Sequence, residues 1–203
     1  MPLSRAQKGA IGQFAFLATA LATGKGEVEA YTPAADNEGR DAEIRRHLKS
    51  KPGISIQVKV AFYLPRTINR QSKRLYIDFG LRAERVQNDP RLWYFFAFYD
   101  PKELRFHSPI FLVPSEVFHK KGRRGTTKAG EIWFVLTASL AAESHDQWSR
   151  YQVAPKDLGK RLLAIVDEST LTARANVVKL PPDAVWLSRT RRASVSARRT
   201  RAA

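Results

Sequence analysis

The chain of 203 residues contains no cysteine, so it can build neither a disulfide framework nor a thiolate zinc site, and a reducing compartment is compatible with it. No run reaches the roughly 18 to 20 consecutive apolar residues of a membrane-spanning helix. Histidine is scarce. His47, His107, His119 and His145 are dispersed without the paired spacing of a helical zinc site, and each reads as a surface or packing residue. Ser115 and Ser144 lack a nucleophile-elbow context, and His145-Asp146 alone makes no triad, which argues against a serine hydrolase. No internal repeat is evident. Acid is also in short supply: 35 Lys and Arg stand against 19 Asp and Glu, for a net charge of +16 and a pI near 10.5. Such a balance is the electrostatic footprint of a phosphate binder, and binding by counterion release would be strongly salt-dependent. Ribosome-associated and membrane-surface proteins share the same balance, so charge bears on association and not on fold.

What is present is enough apolar residue, 43%, for one substantial core, and domains of ~50 to ~250 residues are usual. The economical reading is one domain over residues 1–185 followed by a basic tail at 186–203. In that tail Arg189, Arg191, Arg192, Arg198, Arg199 and Arg201 alternate with Ser, Ala and Thr without an acid, the composition of a disordered segment that adds nonspecific affinity. At the other end Arg5 and Lys8 precede an apolar run over residues 10–22, rather like a secretory signal. Gly12, Gln13 and Thr19 interrupt it, while Ile11, Phe14, Ala18 and Leu21 recur at helical spacing, so an amphipathic first helix is expected.

Strands interspersed with helices predict a mixed α/β or α+β domain. Residues 75–79 read as a short strand, 81–88 as a short helix, 106–113 and 131–137 as strands, and 155–167 as a helix striped by Leu158, Leu162 and Ile165. Ser115 is placed as the cap of another short helix. The unbroken aromatic run at 92–99 reads as a central strand buried on both faces, and so as core rather than a base-stacking surface. Lys120, Lys121, Arg123, Arg124 and Lys128 concentrate charge in a Gly-rich segment expected to be a loop between strands, suited to following a phosphate backbone. The segment lacks the Gly-Lys-Ser/Thr ending of a nucleotide-binding P-loop, so ATP is not implied.

The most informative stretch is a pair of alternating segments at residues 39–44 and 54–60. Ile54, Ile56, Val58 and Val60 take one parity and Ser55, Gln57 and Lys59 the other; Ala42 and Ile44 oppose Asp41 and Glu43 in the same way. A hairpin closing over residues 49–53 would bring Asp41 near Gln57 and Lys59 on one face. A carboxylate, an amide oxygen and an ammonium in one place suit a hard divalent cation on a phosphodiester. The alternative is an ordinary solvated strand face carrying an Asp41–Lys59 ion pair worth about 0 to 1 kcal/mol.

The order of helix, strand, Gly39-Arg40-Asp41, strand and Gln57-Val58-Lys59 resembles the PD-(D/E)XK nuclease superfamily, in particular its Mrr-like and Holliday-junction-resolvase-like branches with Gln before the Lys. The resemblance spans roughly the first 115 residues and includes a Gly-rich opening helix, Lys8-Gly9-Ala10-Ile11-Gly12-Gln13. It implies a restriction-endonuclease-like central mixed sheet flanked by helices. It also implies an Mg²⁺- or Mn²⁺-dependent endodeoxyribonuclease in which Asp41 binds metal, Gln57 is a second ligand or positions water, the Val58 carbonyl completes the shell and Lys59 is catalytic. Where such families carry a Glu on the first helix this chain has Gln13; Glu29, Asp36 or Glu43 could substitute, and none is assigned. That departure leaves two readings open: a nuclease acting on DNA, or a noncatalytic DNA- or RNA-binding protein on the same scaffold. A basic ribosome- or RNA-associated protein is the third. The first implies a cytoplasmic, nucleic-acid-associated protein with no membrane partner, and leaves open a homodimer that would cut two strands.

Overall fold

The computed structural model describes residues 3–33, 39–49, 52–67, 70–71, 73–86, 89–126 and 130–175. In chain order these form α1 (Arg5–Thr23), β1 (Val28–Tyr31), β2 (Ala42–Arg46), β3 (Ile54–Ala61), β4 (Arg66–Thr67), β5 (Arg70–Gln71), β6 (Arg74–Arg82) and β7 (Leu92–Asp100). They continue with β8 (Arg105–Phe106), β9 (Ile110–Pro114), α2 (Ser115–Gly122), β10 (Arg123–Thr126), β11 (Glu131–Ser139), β12 (Gln152–Val153) and α3 (Leu158–Ala175). Met1–Thr170 forms one compact unit; of the second, Leu171–Ala203, only the last residues of α3 are described. The segment expected to be a basic tail lies outside the described residues.

The sheet is organised around β7, whose residues from Leu92 to Tyr99 are all buried. An all-apolar strand has no face suited to water and is stable only with a layer on each side. The main sheet runs β1-β2-β3-β7-β9-β12, with β8 also paired to β7. Only the β3–β7 contact is parallel among its described pairings, so the sheet is mixed.

On one face Trp93, Phe95, Ala97 and Tyr99 join Ala42, Ile44, Ile54 and Ile56 beneath α1 and α3. A capping box starts α1: the Ser4 hydroxyl accepts from the Gln7 N–H at 3.2 Å and the Gln7 side-chain oxygen from the Ser4 N–H at 2.8 Å. Its buried stripe is Gly12, Phe16 and Ala20; of the apolar stripe Ile11, Phe14, Ala18 and Leu21, only Ile11 packs against the core. Phe14 is 68% and Leu21 47% exposed. The reason is proximity: small residues let the helix lie on the sheet, with Phe16 reaching 4.8 Å from Phe95 between ring centres.

The central mixed sheet flanked by helices is as expected, and its other face carries a second sheet besides a helix. Tyr94, Phe96 and Phe98 are covered there by α2 and by a second sheet, β10-β11-β6, which contributes Leu75, Ile77, Leu81, Phe134, Leu136 and Ala138. The described part of the segment expected to be a helix over 81–88, residues 81–86, is therefore not an α-helix. Leu81 is buried and paired with Ile132 as β6 continues to Arg82, and only a 3₁₀ turn at Ala83–Arg85 follows. The expected strand over 106–113 is split into β8 and β9 around a cis Ser108–Pro109 peptide. Ser115 does not cap α2; Pro114 holds that position, and the Ser115 hydroxyl donates to the Asp89 carbonyl. The stripe of α3 is as expected, with Leu158, Leu162 and Ile165 buried, but a 3₁₀ turn at Pro155–Asp157 precedes it.

Candidate active site

The alternation that separates Ile54, Ile56 and Val58 from Ser55, Gln57 and Lys59 sends the first set under the helices and the second toward the second sheet. β2 and β3 pair antiparallel, with Ala42 opposite Ile56 and Glu43 opposite Ser55. Asp41, one residue before β2, prolongs the ladder by donating its N–H to the Ile56 carbonyl at 2.9 Å. Its carboxylate Oδ2 turns to β3 and accepts the Val58 N–H at 2.6 Å, a charge-assisted bond. In a strand, the N–H and C=O of one residue address the same neighbour, so the Val58 carbonyl lies on the edge that faces Asp41.

Three contacts hold this edge. The Gln13 side-chain amide donates to the Asp41 carbonyl at 2.5 Å, tying α1 to the strand entry. Arg40 donates to the Ser55 hydroxyl at 3.1 Å and meets the Asp89 carboxylate at 3.3 Å. Gly39 takes φ +68°, the left-handed region, and a Cβ there would stand 3.1 Å from the Gln57 amide nitrogen. Glycine is needed on both counts. Gln57 itself is buried at 5% exposure beside Tyr94, its partner in the parallel β3–β7 register.

The amide of Gln57 and the ammonium of Lys59 thus share a face and a strand, with Asp41 bonded to the peptide between them. The Lys59 Nζ lies over the Phe79 ring of β6, 4.9 Å from its centre. Beneath this edge Tyr94 and His119 form a buried pair, hydroxyl to Nε2 at 2.9 Å. Burial first, and then the negative charge of Asp41, raise the Tyr94 pKa and keep the phenol neutral. Burial lowers His119 to about 4, so it too is neutral at pH 7.

The remaining acids expected near the site are placed elsewhere or differently occupied. Glu29 accepts from the Tyr31 hydroxyl at 2.7 Å and sits 2.6 Å from His47, and these hydrogen bonds lower its carboxyl pKa. Glu43 is paired with Arg45 at 2.8 Å. Asp36 lies outside the described residues. Among those residues no group of three or more His, Asp and Glu could hold a metal. The oxygen donors available along the β2–β3 edge are the Asp41 carboxylate, the Gln57 amide and the Val58 carbonyl. These hard oxygen donors fit Mg²⁺ or Mn²⁺, which is often held by one or two carboxylates with waters and substrate phosphate completing the shell.

The basic cluster differs from the expected loop. Lys120, Lys121 and Gly122 are the last turn of α2, and Arg123 and Arg124 open strand β10, whose described residues are all exposed. Lys128 lies outside the described residues. Sequence reasoning missed Phe79 and Tyr94, which adjoin Lys59 and Gln57, and His119, which bonds Tyr94. Tyr94 sat in a run read only as core, and no spacing relates position 79 or 119 to positions 41 and 59. Arg40 was visible within Gly39-Arg40-Asp41, but its partners Ser55 and Asp89 are brought to it only by the fold.

No protein-family model and no curated protein sequence matches the chain. Among solved structures it is similar to a bacterial homing endonuclease, I-Ssp6803I, with a TM-score of 0.51 and 17% identity, over 85% of this chain and 98% of that one. At that identity the likeness concerns the fold: the two chains share an architecture. No helix among the described residues is long and apolar enough to cross a membrane.

Proposed function

We propose that this chain is an Mg²⁺- or Mn²⁺-dependent endonuclease that hydrolyses DNA phosphodiester bonds, with Asp41, Gln57 and Lys59 as its centre. The observation that carries the reading is the 2.6 Å bond from the Val58 N–H to Asp41 Oδ2, which sets a carboxylate beside the peptide linking Gln57 to Lys59. The metal, when bound, would polarise the phosphodiester and lower the pKa of a coordinated water. Asp41, the Gln57 amide oxygen and the Val58 carbonyl would hold it. Gln57 can also orient the attacking water, since its buried amide is fixed beside Gly39. Lys59 offsets the negative charge that develops on the phosphate oxygens. Lys120, Lys121, Arg123 and Arg124 supply sequence-independent contacts to the backbone, which position the duplex without reading it. The shared architecture with a homing endonuclease supports a nuclease-like scaffold and a nucleic-acid partner.

Cleavage of supercoiled plasmid and branched DNA with Mg²⁺, Mn²⁺ or EDTA tests this. The native chain should nick DNA only with metal, and Asp41→Ala and Lys59→Ala should each lose roughly 10²-fold or more in rate, while Lys59→Ala still binds DNA. A second reading, binding without cleavage, is favoured by one feature: Gln13 spends its amide on the Asp41 carbonyl and supplies no second acid. Salt-sensitive binding without nicking on any substrate, unaltered by either substitution, would establish that reading and remove the first.

A further inference from the structure

Lysine is a poor choice for a fixed catalytic cation unless something holds it, because its ammonium is a point charge on a flexible four-carbon stem. In this chain one such contact comes from outside the Asp41–Gln57–Lys59 motif. Phe79 belongs to β6 of the second sheet, yet its ring face lies under the Lys59 ammonium at 4.9 Å, within reach of a cation–π attraction. The ring is itself braced. It stacks on Phe118 at 5.7 Å with the planes 15° apart, and lies 6.0 Å from Tyr94, 6.5 Å from Phe96 and 6.1 Å from Phe134. Phe134 is also its partner across the β6–β11 ladder. A ring clamped on several sides is a fixed surface, whereas an aliphatic side chain at position 79 would offer the ammonium no π face.

We infer that Phe79 is the positioning residue of Lys59, so that the second sheet supplies the seat of the cation that the main sheet presents to the phosphate. This rests on the nuclease reading for the role of Lys59. Phe79 is given no contact with phosphate or metal; it acts by confining the ammonium on the face shared with Gln57.

Two measurements test it together. In the native protein, the ε-methylene protons of Lys59 should be shifted upfield by the ring current of Phe79, and the shift should vanish in Phe79→Leu. In cleavage assays Phe79→Leu should lower kcat about tenfold, as expected for a partly desolvated cation–π contact, with KM and DNA affinity unchanged. Phe79→Tyr and Phe79→Trp should restore most of the rate, which mere filling of space by leucine would not do. Should Phe79→Leu fail to fold, the native ring-current shift and the two aromatic variants still decide. Nicking with no ring-current shift, or with the native kcat kept in Phe79→Leu, overturns the role of Phe79 and leaves the nuclease reading standing. Absence of metal-dependent nicking by the native chain, even with the ring-current shift present, overturns both.

Discussion

His119 is 7% exposed and its Nδ1 has no hydrogen-bond partner among the described residues, an arrangement tolerable only while the ring is neutral. Desolvation lowers its pKa from 6.5 to about 4 in the folded protein. The sign of the consequence follows from proton counting. Between pH 6.5 and 4 the unfolded chain binds a proton at this position that the native chain does not, so stability falls as pH drops through that window and levels off below it. The loss should be roughly 2 to 3 kcal/mol. Urea unfolding at pH 7 and pH 4.5 checks this: His119→Gln, which cannot titrate, should lose less stability over the interval than the native chain. Equal losses would mean that His119 is solvated. Because its Nε2 lies 2.9 Å from the Tyr94 hydroxyl, and Tyr94 sits beside Gln57 in the β3–β7 register, protonation would also disturb the floor of the proposed centre.

At the scale of the element, α1 owes its seat on β3 to one missing side chain. A Cβ at Gly12 would stand 3.0 Å from Val60 Cγ2, whereas a Cβ at Gly9 in the same helix would meet nothing within 4 Å. Gly12→Val should therefore cost about 1 to 3 kcal/mol by overpacking, while Gly9→Ala should add roughly 0.5 to 1 kcal/mol through helix propensity alone. Thermal or urea denaturation separates the two, and a stabilising Gly12→Val would show that α1 lies farther from the sheet. The comparison also shows where periodicity misleads. The large residues Phe14 and Leu21 fall on one helical stripe, and a count of apolar positions selects it. The sheet instead accepts the stripe of Gly12, Phe16 and Ala20, because close approach buries more surface around one large ring than a wider gap would. In α3, where Leu158, Leu162 and Ile165 are all large, no such competition exists and pattern and packing agree.

For the whole molecule, the excess charge of +16 sets how strongly any polyanion is held. Arg123 and Arg124 are exposed on β10, adjoining Lys120 and Lys121 at the end of α2. If these four contact phosphates, the dependence of log K on log salt for duplex DNA should become shallower by roughly 2 when Arg123 and Arg124 are replaced by alanine. Titrations at several salt concentrations measure that slope directly. An unaltered slope would move the DNA footprint off this surface. A larger slope for RNA, with tighter binding at equal salt, would favour the RNA-associated reading instead.

Much of this is legible in the sequence, for reasons that are local. Period-two alternation in residues 54–60 dictated which side chains share a face, since adjacent side chains on a strand must oppose one another, and the length of the aromatic run at 92–99 required a strand covered on both sides. The mixed sheet follows from those strands and the helices between them. What covers the second face was a tertiary decision. Leu75, Ile77 and Leu81 alternate as any half-buried strand would, and nothing local says that their partners are on β11 and their floor on β7. The neighbours of the proposed centre belong to that same category. Asp41, Gln57 and Lys59 are set on one face by strand geometry acting over a few residues, but Phe79 meets Lys59 and Tyr94 adjoins Gln57, with His119 bonded to Tyr94, only because two sheets and a short helix close over β7. Contacts made across large sequence separations follow from which layers minimise exposed apolar surface, a property of the assembled chain and not of any segment of it.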